Sequence, residues 1–121
     1  MPVATHANVR HLSAEEVKAS GASIILANTW HLKLRPGAEV FEHFGGIHQF
    51  MKWPGGVLTD SGGFQIFSLP DERNLTEEGA HFKSPFDNHQ HMLSPESSIA
   101  TQQSIGSDIM MVLDVCHPST A

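Results

Sequence analysis

Three scarcities bound what this chain can be. Its 121 residues hold a single cysteine, Cys116, so no internal disulfide can form and neither a Cys-x-x-Cys pair nor a cysteine-rich zinc site can be built. That usage fits a reducing, intracellular compartment. Basic residues are few: seven Lys and Arg against thirteen Asp and Glu leave a net charge of −6 with histidines neutral. Such a balance argues against a broad phosphate-binding face, which in nucleic-acid binders shows as basic patches. Long apolar runs are missing too. No stretch approaches the roughly 20 residues that span a bilayer, and the first residues do not read as a signal peptide, so a soluble, cytoplasmic protein is expected. Repeats and low-complexity linkers are also lacking, and residues 1–121 are read as one domain without an internal boundary.

What is there is globular: 40 % hydrophobic and 17 % charged, enough for a modest core. Short β-type runs alternate with helical ones. "MPVAT", residues 1–5, reads as the end of a strand. "SAEEVKASG" sets Ser13 and Glu16 in capping-box spacing, with Gly21 where a helix stops. "SIILANT", residues 23–29, is a continuous apolar run closed by polar residues, the pattern of a strand buried on both faces. In "RPGAEVFEHFGG" Pro36 stands near a helix start, Val40, Phe41 and Phe44 share a face, and Gly45-Gly46 follow its end. "IHQFMKW" groups Ile47, Phe50 and Met51 as a short second helical piece, and "GGVLTD" reads as a third strand. From Gln65 to Met92 turn residues (Gly79, Pro85, Asp87-Asn88) interrupt alternating stretches, so a β-hairpin excursion is expected. "SPESSIATQQSIGS" opens a helix with Ser94 as N-cap and Pro95 at its first position and stops near Gly106. "DIMMVLD", residues 108–114, is a fourth apolar strand.

Regular alternation of strand and helix argues for an α/β fold with a parallel sheet and helical crossovers. Three of the strands end in polar clusters, Asn28-Thr29, Asp60-Ser61 and Asp114. The carboxyl ends of parallel strands are where ligand sites sit in such folds. Four strands do not close an eight-stranded barrel, so the sheet is either open or part of something larger.

The segment "GGVLTDSGGFQIFSL", residues 55–69, drives an apolar strand into an acid and two glycines, which core building does not require. A carboxylate at the rim of a sheet can exchange protons with a ligand. Gly62 and Gly63 let the backbone approach a flat ligand and offer its N–H groups. Phe64 supplies an apolar face on which a heteroaromatic ring can stack. The plainer reading is a strand-to-helix turn in which Asp60 caps the next segment.

"LTDSGGFQIFSL" together with "NTWHLKLRPG", "HMLSPE" and "DIMMVLDVC" closely resembles the tRNA-guanine transglycosylases, also called queuine tRNA-ribosyltransferases. The resemblance runs the length of the chain, with the blocks in the family's order and at much the same spacing. It implies a (β/α)8 barrel with insertions, of which this chain holds about the first four βα units and a β-hairpin insertion. It also implies exchange of guanine at the anticodon wobble position of tRNA for a 7-deazaguanine, queuine or its precursor, through a covalent ribosyl-enzyme. A nucleophilic carboxylate and a second carboxyl group that moves protons follow the logic of retaining glycosidases.

On that resemblance Asp60 matches the general acid/base, and Ser61, Gly62, Gly63 and Phe64 match the loop lining the base pocket. Asp114 matches a second pocket aspartate. A carboxylate suits the guanine edge, because N1–H and the exocyclic amine present two donors in one direction. Asn28, His31 and Gln65 fall where the family places polar residues near the ribose and the catalytic acid; for His31 a structural role is the competing reading. "HQH", residues 89–91, has a metal-like look but lacks a third ligand nearby and reads as solvated, so no metal or cofactor is assigned to this chain.

The sequence departs from the family in two ways. It stops at Ala121, whereas the family continues through four more strands carrying the nucleophile, much of the tRNA surface and a Cys/His zinc site. The expectation is therefore a fragment that is inactive alone, with tRNA and a guanine-like base as partners of the full-length enzyme. Many bacterial members also read "DECTP" where this chain has "DVCHP", so Val115 stands in place of a glutamate beside the pocket. The alternative is a truncated, non-catalytic paralogue that binds bases or pairs with a full-length subunit. Pairing as a homodimer or a heterodimer stays open.

Overall fold

The computed structural model describes residues 1–63, 74–83, 90–114 and 119. Along the chain run α1 (Ala14–Ala19), β1 (Ile24–Ala27), α2 (Thr29–Leu34), α3 (Ala38–Phe44), α4 (Ile47–Met51), β2 (Gly56–Thr59), β3 (Asn74–Thr76), β4 (Gly79–Lys83), β5 (Gln90–Leu93), α5 (Pro95–Ile105) and β6 (Ile109–Met110). The start signals legible in the sequence operate as such. Ser13 Oγ accepts from the Glu16 N–H while Glu16 Oε1 accepts from the Ser13 N–H, each at 3.1 Å, which closes the α1 capping box. Ser94 and Ser97 form the reciprocal pair at α5, with Pro95 in the first turn and Gly106 at the C-cap.

The strands form two sheets. In the first, Val3 bridges Leu26, β1 pairs in parallel with β2, and β2 pairs in parallel with β6. Neighbours follow chain order, with α2, α3 and α4 in the first crossover and α5 in the second. In the second sheet β3, β4 and β5 are antiparallel. This is the expected hairpin excursion, extended to three strands; Pro85 and Asp87-Asn88 lie outside the described residues.

The core sits on one face of the parallel sheet. Ile25, Ala27 and Val57 pack with Val17 of α1, Phe41 of α3, Ile47 of α4, Ile105 of α5 and Trp53. Removing a fully buried ring such as Phe41 by Phe41→Ala costs about 3–5 kcal/mol in such a site. The opposite face carries Ile24, Leu26, Leu58 and Ile109, of which Ile24 and Ile109 are exposed. The continuous apolar run in β1 is therefore buried on one face only, the face on which the helices gather. A second small cluster joins Trp30 of α2 to Ala80 of β4 and Leu93 of β5, with Leu34 and Leu113 against it.

Two readings of the sequence change here, and helix α2 occupies residues 29–34, for which the sequence suggested no helix. The fourth strand is short: β6 meets β2 only at Leu58↔Ile109 and Thr59↔Met110, and Met111 and Val112 beyond it are exposed. Phe44 is exposed rather than sharing the buried face of Phe41, and stands edge-on to Phe50.

Candidate functional site

The residues that follow each parallel strand gather along its carboxyl edge. The Asp60 N–H extends the ladder by donating to the Ala27 carbonyl at 3.3 Å. Its carboxylate then reaches sideways to the junction of β1 and α2: Oδ1 accepts from the Thr29 N–H at 2.8 Å and Oδ2 from Asn28 Nδ2 at 2.8 Å. The Thr29 hydroxyl donates back to the Asp60 carbonyl. Asn28, the N-cap residue of α2, makes no side-chain cap of its own. Asp60 therefore satisfies a first-turn N–H of α2 across the sheet edge. That external cap accounts for a helix in residues whose pattern suggests otherwise.

One residue on, Ser61 is buried and donates through Oγ to Asp114 Oδ1 at 3.0 Å, while accepting from the Gly63 N–H at 3.2 Å. The two acids are thus drawn to one edge, Asp60 directly and Asp114 through the neighbouring serine. The double glycine has a local reason. Gly62 sits at φ +87°, which favours glycine, and a Cβ at Gly63 would stand 2.5 Å from the carbonyl oxygen of Asp114. A side chain at Gly63 would collide with the Asp114 backbone, and the Gly63 N–H donates to Ser61 Oγ.

The segment that delivers Asp114 is held by a residue to which no motif in the sequence pointed. Gln102 of α5 is fully buried. Its Oε1 accepts from the Met111 N–H at 2.9 Å and its Nε2 donates to the Met111 carbonyl at 2.9 Å, as a neighbouring strand would. The same amide meets the Thr59 hydroxyl at 2.8 Å and Ser98 Oγ at 3.1 Å, and Ser98 Oγ donates to the Ser61 carbonyl at 2.8 Å. One buried polar network therefore ties β2, α5, the serine and the Asp114 segment together. The available signal was that α5 buries Ser98, Thr101 and Gln102. A helix with a polar buried face must have partners for it.

His31 lies one turn into α2. Its ring meets Trp30 edge-on at 5.0 Å and His6 edge-on at 5.5 Å. Burial pushes its imidazole below the usual histidine value, the neighbouring His6 pushes the same way, and Asp60 acts in the opposite sense. Lys33 Nζ donates to the Met92 carbonyl at 3.1 Å, fastening α2 to β5; burial lowers its ammonium. Asn28, Asp60, Ser61, Gly62, Gly63 and Asp114 are thus gathered at one edge, with His31 in electrostatic reach. Phe64, Gln65, His89, Val115 and Cys116 lie outside the described residues. Among the described residues no three histidine, cysteine, aspartate or glutamate side chains are grouped to hold a metal.

Over residues 1–121 the chain matches the family model described as Queuine tRNA-ribosyltransferase. It belongs to that family. The queuine tRNA-ribosyltransferase of Dichelobacter nodosus is 58 % identical over 121 residues, covering all of this chain and 33 % of its own length. Those of Symbiobacterium thermophilum and Lactiplantibacillus plantarum are 55 % and 53 % identical over 118 residues, covering 98 % of this chain and 30 % and 31 % of theirs. The chain thus spans about a third of the length of the curated queuine tRNA-ribosyltransferases it matches. No helix among its described residues is long and apolar enough to cross a membrane.

Proposed function

We propose that the full-length protein is a cytoplasmic tRNA-modifying enzyme that exchanges guanine at the anticodon wobble position for a 7-deazaguanine, queuine or its precursor, through a covalent ribosyl-enzyme. In this reading residues 1–121 supply one domain part, about the first four βα units of a (β/α)8 barrel. The in-order parallel walk from Val3 through β1 and β2 to β6 supports that architecture. The attacking carboxylate is assigned outside these residues, so the exchange belongs to the full-length protein.

Asp60 is the general acid/base: it returns a proton to the departing base and takes one from the incoming base. Asp114 reads the base, its carboxylate accepting from the N1–H and the exocyclic amine of guanine. A base without both donors leaves a desolvated acceptor unsatisfied, which costs about 1–3 kcal/mol. Ser61, Gly62, Gly63 and Phe64 line the pocket, and Asn28, His31 and Gln65 stand near the ribose. The observation that carries this reading is the gathering of Asp60 and Asp114 at one sheet edge through Ser61. It also weighs against a non-catalytic partner subunit. A scaffold would keep Asp60 to cap α2, but it has no need of Asp114, whose side chain is exposed.

The test is incorporation of labelled guanine into cognate tRNA by the full-length protein carrying Asp60→Asn. An asparagine keeps an acceptor for the Thr29 N–H, so folding is retained while proton transfer is lost. The expected result is no incorporation by a normally folded variant; near-normal incorporation overturns the assignment.

A further inference from the structure

Beyond Met110 the Asp114 segment leaves the parallel sheet. Strand β6 pairs with β2 only through Ile109 and Met110, and Met111 and Val112 are exposed. Among the described residues neither a strand ladder nor burial fixes Met111; the Gln102 amide does, and it is used to capacity. A primary amide offers two N–H donors and two acceptor lone pairs. Here Oε1 accepts from the Met111 N–H and the Thr59 hydroxyl, while Nε2 donates to the Met111 carbonyl and to Ser98 Oγ. The orientation is forced. A flipped amide would set donor against donor at the Met111 N–H and acceptor against acceptor at its carbonyl. Because Thr59 spends its proton on Oε1, Ser107 Oγ, 2.7 Å away, is the donor to Thr59.

The same amide reaches both ends of the bond that aims Asp114. One arm runs through the Met111 backbone into the Asp114 segment. The other runs through Ser98 Oγ, which donates to the Ser61 carbonyl at 2.8 Å. Ser61 Oγ closes the circuit by donating to Asp114 Oδ1 at 3.0 Å. Leu113 also packs against the cluster of Trp30, Ala80 and Leu93, but an apolar contact is non-directional and does not orient the neighbouring carboxylate.

We infer that Gln102 is a positioning residue for base recognition: through Met111 and Ser98 it sets the separation of Ser61 and Asp114, and so the direction in which the Asp114 carboxylate meets the base. This rests on the role of Asp114 proposed above and adds the residue that makes that role selective. The N1–H and the exocyclic amine of guanine are coplanar, so taking both requires a carboxylate held in their plane. A carboxylate free to turn still accepts from N1–H but gains less from the amine. Gln102 touches no base, yet its loss lowers discrimination between bases.

The experiment measures binding of guanine and of hypoxanthine to the full-length protein by calorimetry, beside hydrogen exchange at the Met111 amide. Gln102→Met keeps the length of the side chain and removes all four bonds. In it the preference for guanine should fall from about tenfold to about threefold or less, and the Met111 amide should lose protection. Gln102→Glu, which retains acceptors for the Met111 N–H and the Thr59 hydroxyl, should lie between the two on both readouts. Val17→Ala controls for stability: it opens a cavity in the main core, away from this network, and should keep the parent's preference. An unchanged preference in Gln102→Met, an equal fall in Val17→Ala, or a Met111 amide as protected as in the parent overturns the inference. Should Gln102→Met fail to fold, Ser98→Ala decides. It cuts only the arm to Ser61 and should lower the preference, and an unchanged preference is fatal. A parent with no preference for guanine overturns the role of Asp114 together with this inference, whereas a preference that survives Gln102→Met overturns this inference alone.

Discussion

A carboxylate that caps a helix has part of its hydrogen-bonding capacity already committed, and Asp60 is in that position with Thr29 and Asn28. On the proposed function, any substitution there acts on folding and chemistry together. Asp60→Ala should cost about 1 kcal/mol through the lost cap as well as abolish exchange, whereas Asp60→Asn should cost less and still abolish it. Urea unfolding of both variants separates the two effects; equal destabilisation by Ala and Asn would contradict the capping role. Gly63 makes a second residue-scale case. Because an added Cβ would strike the Asp114 backbone, Gly63→Ala should displace the Asp114 segment. The expected cost is about 1–3 kcal/mol together with weakened binding of guanine. Full stability and affinity in Gly63→Ala would show that the approach is not tight. The double glycine was legible as a sign of close approach, but its partner was not, since that contact spans residues far apart in the chain.

At the scale of elements, stability and placement lie in different residues. The caps at Ser13 and Ser94 were readable because a capping box is local, with each partner three residues from the other. Ser94→Ala should cost about 1 kcal/mol, measurable by denaturation, without moving the site. Helix α2 was not readable. "TWHLKL" carries strand-like alternation, and its first turn is satisfied by an acid about thirty residues away. The role of α5 was half legible: its bounds followed from Ser94, Pro95 and Gly106, but its polar buried face takes meaning only from Met111, Thr59 and Ser61 across the fold. Gln102→Leu should therefore be one of the costlier substitutions. It leaves both backbone groups of Met111 unsatisfied and releases Asp114, for a loss of roughly 3 kcal/mol. Gln102→Glu should retain the Met111 N–H bond and lose less. A Leu variant as stable as the parent would contradict the network.

Across the whole molecule the two edges of the parallel sheet serve different ends. The carboxyl edge holds the acids of the site, and the amino edge is fastened by Asp108, whose Oδ2 accepts from the Val57 N–H and meets His48 Nε2, each at 2.8 Å. The Val57 bond, helped by His48, holds the Asp108 carboxyl below the ordinary 3.8, against a smaller opposing effect of burial. The folded chain thus binds this proton less readily than the unfolded one. Its contribution is complete above about pH 4 and is lost as pH falls through the lower folded value. The stability difference between the parent and Asp108→Asn should accordingly shrink below about pH 4 in urea titrations; a difference constant across pH would refute it. The α/β class, the parallel sheet and the antiparallel excursion were all legible from alternation and turn residues. What covers the face of Ile24 and Ile109 was not, because a face-sharing pattern names no partner.

The proposed reading of the base by Asp114, beside Asp60, is tested most directly by binding of guanine and of hypoxanthine, which lacks the exocyclic amine, to the full-length protein by calorimetry. The parent should prefer guanine by tenfold or more, which corresponds to about 1.4 kcal/mol. Asp114→Asn should weaken guanine and erase the preference while the fold stays intact. Unchanged guanine affinity and an unchanged preference in Asp114→Asn would contradict the assignment of Asp114 as the residue that reads the base.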